Sequence, residues 1–150
     1  KKVEQRKRET TKNQMVTSSL LEAEKRLLGL ISQSKKLYKM SSAQIKAEEF
    51  ATDVYRRLAK SMYDSYENGM SPDPAMMLND FSGDDLSEAS EVFYNLEVYS
   101  GDEETVKELL YTIKLEKLNM RINAEADPTN LMDLFKQREE LLNEKNTWEE

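Results

Sequence analysis

The chain contains neither cysteine nor histidine among its 150 residues. The lack of cysteine excludes disulfide bonds, thiolate metal sites and a cysteine nucleophile. The lack of histidine removes the commonest general base and the commonest metal ligand, and with it the Glu-x-x-His metal sites of helical bundles. A glycine-rich phosphate loop is also missing. We therefore expect no cofactor, no metal site and no catalytic residue, so this segment itself is predicted not to be an enzyme.

Glycine and proline are scarce, with four and three residues, so the sequence has few places where a helix must break. Leu, Glu, Lys, Met and Ala dominate, which favours helix, and Val and Thr are too sparse for an extended sheet. The sequence predicts an all-α fold: a bundle of about six helices followed by a C-terminal helical hairpin. No stretch approaches the roughly 18 consecutive apolar residues of a membrane-spanning helix, and no apolar run of a signal peptide follows the basic start. A cytoplasmic location is the default expectation.

Positive charge is concentrated at the start of the chain. Residues 1–14 hold six Lys or Arg and two Glu, a net charge of +4 against −7 for the whole chain, which leaves −11 for residues 15–150. Because affinity for nucleic acid comes largely from neutralising phosphates, so acidic a body should bind protein and neither nucleic acid nor membrane. The basic start could contact nucleic acid, but the preferred interpretation is a solvated linker, with the chain a piece of a longer protein.

Apolar spacing and capping signals locate the helices. Phe50, Val54, Leu58 and Met62 recur every four residues, which predicts a central amphipathic helix. Asn68-Gly69 is a C-terminal cap signal. Asp73-Pro74 and Asp127-Pro128 each combine an N-cap with a proline at the first helical position.

The long helix before Asp127 changes its apolar stripe midway, from Val106 and Leu109 to Leu115 and Leu118. A buried face that rotates in this way indicates that the helix passes from one packing layer to another. We therefore predict three parts: a basic interdomain linker over 1–17, a helical bundle over 18–114 and a C-terminal helical hairpin over 115–150.

The last helix carries the candidate partner-binding residues. An isolated two-helix hairpin buries little surface, so one or two side chains of its apolar stripe are expected to face a partner, the others forming core. Trp148, the only tryptophan, is either a partner contact or packs on the neighbouring helix. The predicted partner-binding residues are Leu131, Leu134, Phe135, Arg138, Leu141, Leu142 and Trp148. Elsewhere, Met70, Met76 and Met77 are open to two interpretations, an adaptable docking surface or, preferred, core filling under a short helix.

The order of these signals resembles a known family. The residues that carry the likeness are Ala23-Glu24-Lys25-Arg26-Leu27-Leu28, then Tyr63 and Tyr66 ahead of Glu67-Asn68-Gly69, then Asp73-Pro74, within a similarity over about residues 18–146. Together with the terminal hairpin they resemble the C-terminal helicase-binding domain of bacterial DnaG-type primases. The resemblance implies a domain, monomeric alone, whose hairpin docks on the N-terminal domains of the hexameric DnaB-type replicative helicase. It would recruit primase to the replication fork as a component of the primosome and modulate both enzymes, the parent chain being a DNA primase.

Family analogy also suggests a second partner, the acidic tail of a single-strand-binding protein. Its expected basic pocket consists of Lys25, Arg26, Arg56 and Arg57.

Two alternatives stay open. The chain could be the N-terminal helical domain of the replicative helicase itself, a structural, oligomer-forming element with a similar bundle and hairpin; the basic segment before the bundle argues against this, and self-association would support it. An enzyme would need carboxylates converging in a pocket, and no motif places them there.

Overall fold

A computed structural model describes residues 16–94 and 102–148, and this part of the chain contains seven α-helices and no strand. The helices are α1 (Ser18–Gln33), α2 (Lys35–Ser42), α3 (Asp53–Glu67), α4 (Pro74–Leu78), α5 (Gly83–Tyr94), α6 (Glu103–Ala124) and α7 (Pro128–Thr147). A 3₁₀ turn over Ala47–Glu49 precedes α3. The predicted all-α class is confirmed.

The chain divides into two compact units. One is Glu22–Leu110; the described part of the other is residues 16–21 and 111–148. Residues 1–15 of the predicted basic linker lie outside the described residues. The three-part division of the chain stays a prediction.

Helix α3 is the centre of the unit Glu22–Leu110, as its stripe predicts. Four apolar side chains are each at most 2% exposed: Phe50, Val54, Leu58 and Met62. The helix begins where the Thr52 hydroxyl accepts a hydrogen bond from the Tyr55 amide at 3.0 Å. Val54, Leu58 and Met62 lie on one face of α3, which the neighbouring helices cover. Phe50 is buried too, but it precedes the helix, so its predicted place in the helix is wrong: the Thr52 cap starts the helix at Asp53.

The end of α3 is a Schellman motif. Gly69 has φ +74°, its amide donates to the Tyr66 carbonyl at 3.0 Å, and the Met70 amide donates to the Ser65 carbonyl at 2.8 Å. The predicted Asn68-Gly69 cap is therefore confirmed. The Asp73-Pro74 signal is confirmed too, because the Asp73 carboxylate accepts from the Ala75 amide at 3.0 Å and α4 starts at Pro74.

Three tyrosines join α2 to α3. The Tyr38 ring stacks on Tyr66 with centroids 4.6 Å apart and meets Tyr63 edge-on at 5.1 Å. The Tyr66 hydroxyl donates to the Ile31 carbonyl at 2.6 Å, and the Tyr63 hydroxyl donates to the Ile45 carbonyl at 2.9 Å. Ile31 lies in the last turn of α1 and Ile45 lies outside the helices. The buried tyrosine hydroxyls therefore give hydrogen bonds to backbone carbonyls at positions where regular helical bonding ends or is absent.

Candidate docking surface on the C-terminal helices

Helices α6 and α7 pair in antiparallel fashion. Asp127 caps α7 by accepting from the Thr129 amide at 2.9 Å, with Pro128 at the first helical position, as predicted. Asn119 Oδ1 of α6 accepts from Arg138 Nη1 of α7 at 2.9 Å. Tyr111, two turns earlier on α6, instead meets the end of α7, with Lys145 Nζ 4.4 Å from its ring centroid. Contacts that advance along one helix and retreat along the other define an antiparallel pair.

The less exposed side of α7 follows a coiled-coil repeat. Its members, with the capping Trp148, are separated alternately by three and four residues, which keeps one seam on a single side of the helix. We call this set the inner seam: Leu131, Leu134, Arg138, Leu141, Lys145 and Trp148. Leu134 is buried and the others are half-buried. The Trp148 ring lies edge-on to Tyr111 at 5.8 Å, so it does pack on the neighbouring helix of the pair.

A second set of apolar side chains on α7 faces water. Met132 is 72% exposed, and Phe135 and Leu142 are each 42% exposed. We call these three residues the outer face. Helical geometry places them within about 80° of one another around the axis, at 100° per residue. Three large apolar side chains on one exposed side of a helix pair are typical of a protein-binding surface.

Polar groups sit where the two sets meet. Arg138 belongs to the inner seam, yet its guanidinium carbon also lies 5.3 Å from the centroid of the Phe135 ring. A polar pair such as Arg138–Asn119 within a coiled-coil seam favours one register over its alternatives.

Of the seven predicted partner-binding residues, five lie in the inner seam and two, Phe135 and Leu142, lie on the outer face. Met132 is the outer residue that the sequence interpretation missed. It stands three residues before Phe135, a helical spacing that could have identified it. The roles of all these residues in binding stay predictions.

Three of the four cations of the predicted basic pocket contact other groups of the protein. Lys25 Nζ lies 3.2 Å from Glu22 Oε1. Arg56 Nη1 donates to the Phe50 carbonyl at 3.0 Å. Arg57 Nη2 donates to the Asp80 carbonyl at 2.8 Å. A pocket there for an acidic tail, with Arg26 as its fourth cation, stays a prediction.

An open groove of about 360 Å³ lies elsewhere in the same unit. Tyr38 and Tyr63 form its aromatic side, and its charged rim includes Lys46, Lys60 and Glu67. None of the four predicted pocket cations lines it. Its lining includes the carboxylates of Glu48, Asp64 and Glu67 against the two lysines, so it does not favour an anionic ligand.

Within residues 16–94 and 102–148, no three carboxylates are placed to hold a metal ion together. No described helix combines the length and apolar character that crossing a bilayer requires.

Comparison with known proteins gives one family. The family model described as "DnaB-like helicase N terminal domain" matches residues 16–117. No curated protein and no solved structure matches the chain significantly.

This match overturns the primase interpretation. The resemblance to the C-terminal domain of DnaG-type primases is wrong, and so are the predicted recruitment of primase by this chain and its place as a primase component of the primosome. The physical reason is that capping and packing residues such as Tyr63, Tyr66 and Asp73-Pro74 specify a helical bundle with a terminal hairpin. Both domains were expected to have that architecture, so these residues do not distinguish them. The basic start of the chain lies before the matched residues 16–117, so its charge is no argument against a helicase domain.

Proposed function

The chain belongs to the family of DnaB-like helicase N-terminal domains, and we propose that it is a structural element through which the subunits of a replicative helicase associate. The expected partner was a separate helicase, whereas in this proposal the partner is another subunit of the helicase to which the chain itself belongs. The surface that was expected to dock on helicase N-terminal domains lies on α7, beyond the matched residues 16–117. In this proposal its partners are further copies of the same chain.

The exposed outer face of α7 supports this proposal most directly. Met132, Phe135 and Leu142 expose large apolar side chains, although their own helix pair is closed along the inner seam. Pairing of two outer faces would remove this surface from water, which stabilises association in proportion to the apolar area buried. A self-complementary patch of this kind is what a two-fold contact between identical chains requires.

The inner seam supports the proposal by giving the outer face a rigid base. The hydrogen bond between Arg138 and Asn119 and the contacts of Tyr111 with Lys145 and Trp148 fix α7 on α6 at two levels. A preorganised surface loses less conformational entropy on association. In this proposal the domain contributes assembly and no chemistry, and it acts in the cytoplasm at the replication fork.

Light scattering coupled to size-exclusion chromatography tests the proposal. The wild-type chain should associate above the monomer mass in a concentration-dependent manner. The double variant Met132→Glu/Phe135→Glu should elute as a monomer, because pairing would then bury like charges.

Met76→Glu is the matched control, since Met76 is 69% exposed, close to the 72% of Met132, but lies on α4. It should associate as the wild type does. A wild-type chain that stays monomeric at every concentration would contradict the proposal, as would equal disruption by Met76→Glu. Circular dichroism would show that each variant keeps its helices.

A further inference from the structure

Acidic residues are segregated along the chain. Between Lys60 and Lys107 there is no Lys or Arg, and this stretch holds 12 of the 29 acidic residues. The remaining 104 residues contain all 22 basic residues and 17 acidic ones, a net charge of +5 against −12 for the stretch. Charge is therefore sorted by position, and attraction or repulsion of a partner depends on which part of the chain it meets.

Within this stretch, residues 64–80 also expose two methionines. We call residues 64–80 the acidic methionine segment. The segment runs from the last turn of α3 through α4. Its exposed acidic residues and methionines are Asp64, Glu67, Met70, Asp73, Met76 and Asp80. Lys60 Nζ lies 3.5 Å from Asp64, and Arg57 donates to the Asp80 carbonyl, so two cations from outside the segment offset part of its charge.

Met70 is exposed on a fixed backbone. It is the second residue past the cap of the Schellman motif, a position whose apolar side chain usually packs on the last turn of the helix. Here the positions it would contact are Ser65 and Asp64, neither of them apolar. Its amide is held by the Ser65 carbonyl at 2.8 Å while 65% of the residue faces water. The usual intramolecular partner of this side chain is therefore replaced by polar groups.

Met76 is exposed on α4, where its neighbour Met77 fills the core. Met77 is 5% exposed and Met76 is 69% exposed. Helix α4 is fixed at its start by Asp73, whose carboxylate accepts from the Ala75 amide and whose carbonyl accepts from the Met77 amide at 3.0 Å. The core-filling interpretation therefore holds for Met77, whereas Met70 and Met76 point to the docking interpretation.

We propose that the acidic methionine segment docks a basic amphipathic segment of a partner protein. The apolar side chains of the partner contact Met70 and Met76, and its Lys or Arg side chains pair with the flanking carboxylates. Charge complementarity selects the partner. A segment with four acids and no base of its own repels phosphate, so nucleic acid and anionic bilayers are unsuitable occupants. The unbranched, polarisable methionine side chain adapts to apolar groups of different shape. This surface lies on α3 and α4, and the proposal does not depend on the assembly role of α7.

Fluorescence anisotropy of the full chain with a labelled amphipathic peptide of Leu and Lys, Leu at helical spacing, tests the inference. The wild-type chain should bind this peptide, and added salt should weaken the complex. A peptide with Ala in place of every Leu keeps the charge and should bind about tenfold more weakly, because each lost apolar contact reduces affinity. A peptide of Leu and Glu should not bind.

Two variants of the protein separate the apolar and the charged contributions. Met70→Ser/Met76→Ser should bind the Leu and Lys peptide about tenfold more weakly, and Glu67→Gln/Asp80→Asn should lose a similar amount at low salt. Both variants change only exposed side chains, and their thermal unfolding should match that of the wild type. Met132→Ser removes an equally exposed methionine from α7 and should leave peptide binding unchanged.

The inference is overturned if the wild-type chain does not bind the Leu and Lys peptide. It is also overturned if Met70→Ser/Met76→Ser binds as tightly as the wild type, or if Met132→Ser loses as much affinity. Because chain mass by light scattering reports on the outer face of α7, failure of this inference and failure of the assembly proposal give different results.

Discussion

The carboxylate of Glu24 accepts a hydrogen bond from the backbone amide of Ala51 at 2.8 Å, although the Glu24 residue is entirely shielded from water. Glu24 lies in α1, and Ala51 lies directly before the Thr52 cap of α3. One side chain of the first helix therefore fixes the entry of the chain into the central helix. The Thr52 hydroxyl in turn donates to Glu88 Oε2 of α5 at 2.9 Å, so three helices meet at this junction.

Replacing Glu24 should destabilise the fold strongly. Glu24→Ala leaves the Ala51 amide without its acceptor and leaves a cavity, which should lower the free energy of unfolding by about 3 kcal/mol. Glu24→Gln keeps an oxygen acceptor and should cost about 1 kcal/mol. Urea unfolding followed by circular dichroism measures both. Glu22→Ala is the matched control, because Glu22 is exposed, its ion pair with Lys25 is a surface contact, and the change should be close to neutral. Equal losses for Glu22 and Glu24 would contradict the prediction.

The Tyr66 hydroxyl should contribute measurably to stability. Tyr66→Phe keeps the stacking on Tyr38 but removes the donor to the Ile31 carbonyl, so we expect a loss of about 1–2 kcal/mol. Thermal unfolding by calorimetry provides the measurement. Tyr94→Phe, at a residue that is 84% exposed, should leave the midpoint unchanged. A Tyr66→Phe midpoint as high as that of the wild type would show that the buried carbonyl finds another donor.

Gly69 should resist substitution for backbone reasons alone. A Cβ at this position would meet nothing within 4 Å, but the φ of +74° is one that L-residues adopt only with strain. Gly69→Ala should therefore lower the free energy of unfolding by about 1 kcal/mol without disturbing the core. Chemical denaturation measures the loss. Glu67→Ala, an exposed change in the last turn of the same helix, should cost less, and the reverse order would argue against the left-handed cap.

Alkaline pH should unfold the protein through its buried tyrosines. Burial raises the pKa of Tyr55, Tyr63 and Tyr66 above the ordinary value of 10.0, and at Tyr55 the charges of Glu88 and Glu24 add to the effect. The folded state therefore keeps these phenols neutral while the unfolded state ionises. Their contribution to stability is fully present below pH 10 and falls as the pH rises above it.

A titration of phenolate absorbance, with unfolding free energies measured on both sides of pH 10, tests this dependence. Tyr55, Tyr63 and Tyr66 should ionise only with loss of the fold. In Tyr63→Phe the decline of stability with pH should be less steep. Simultaneous ionisation of all tyrosines in a protein that stays folded would contradict the prediction.

Much of the local structure could be predicted from the sequence because its causes are local. The Asn68-Gly69 and Asp127-Pro128 caps depend on backbone geometry within a few residues, and the stripe from Val54 to Met62 depends on the helical period. The identity of the family was beyond this kind of signal, because many unrelated helical bundles need the same caps and stripes.

The candidate site was predictable only in part. An apolar stripe on the last helix was evident from spacing, but spacing does not tell which of two adjacent apolar sets packs on the neighbouring helix. The structure assigns Leu134 to the inner seam and leaves Met132 exposed, two residues away on the other side. The same holds for Met76 and Met77, which are neighbours in sequence and differ completely in burial.

By itself, the sequence determined the helical class, the helix caps at Asn68-Gly69, Asp73-Pro74 and Asp127-Pro128, and the segregation of charge, because each follows from residues close together along the chain. Only the tertiary structure decided which face of each helix is buried, that Glu24 caps the approach to α3, and that Met70, Met76 and the outer face of α7 stay exposed. Those outcomes depend on contacts between residues far apart in sequence, whose packing energies no local pattern encodes.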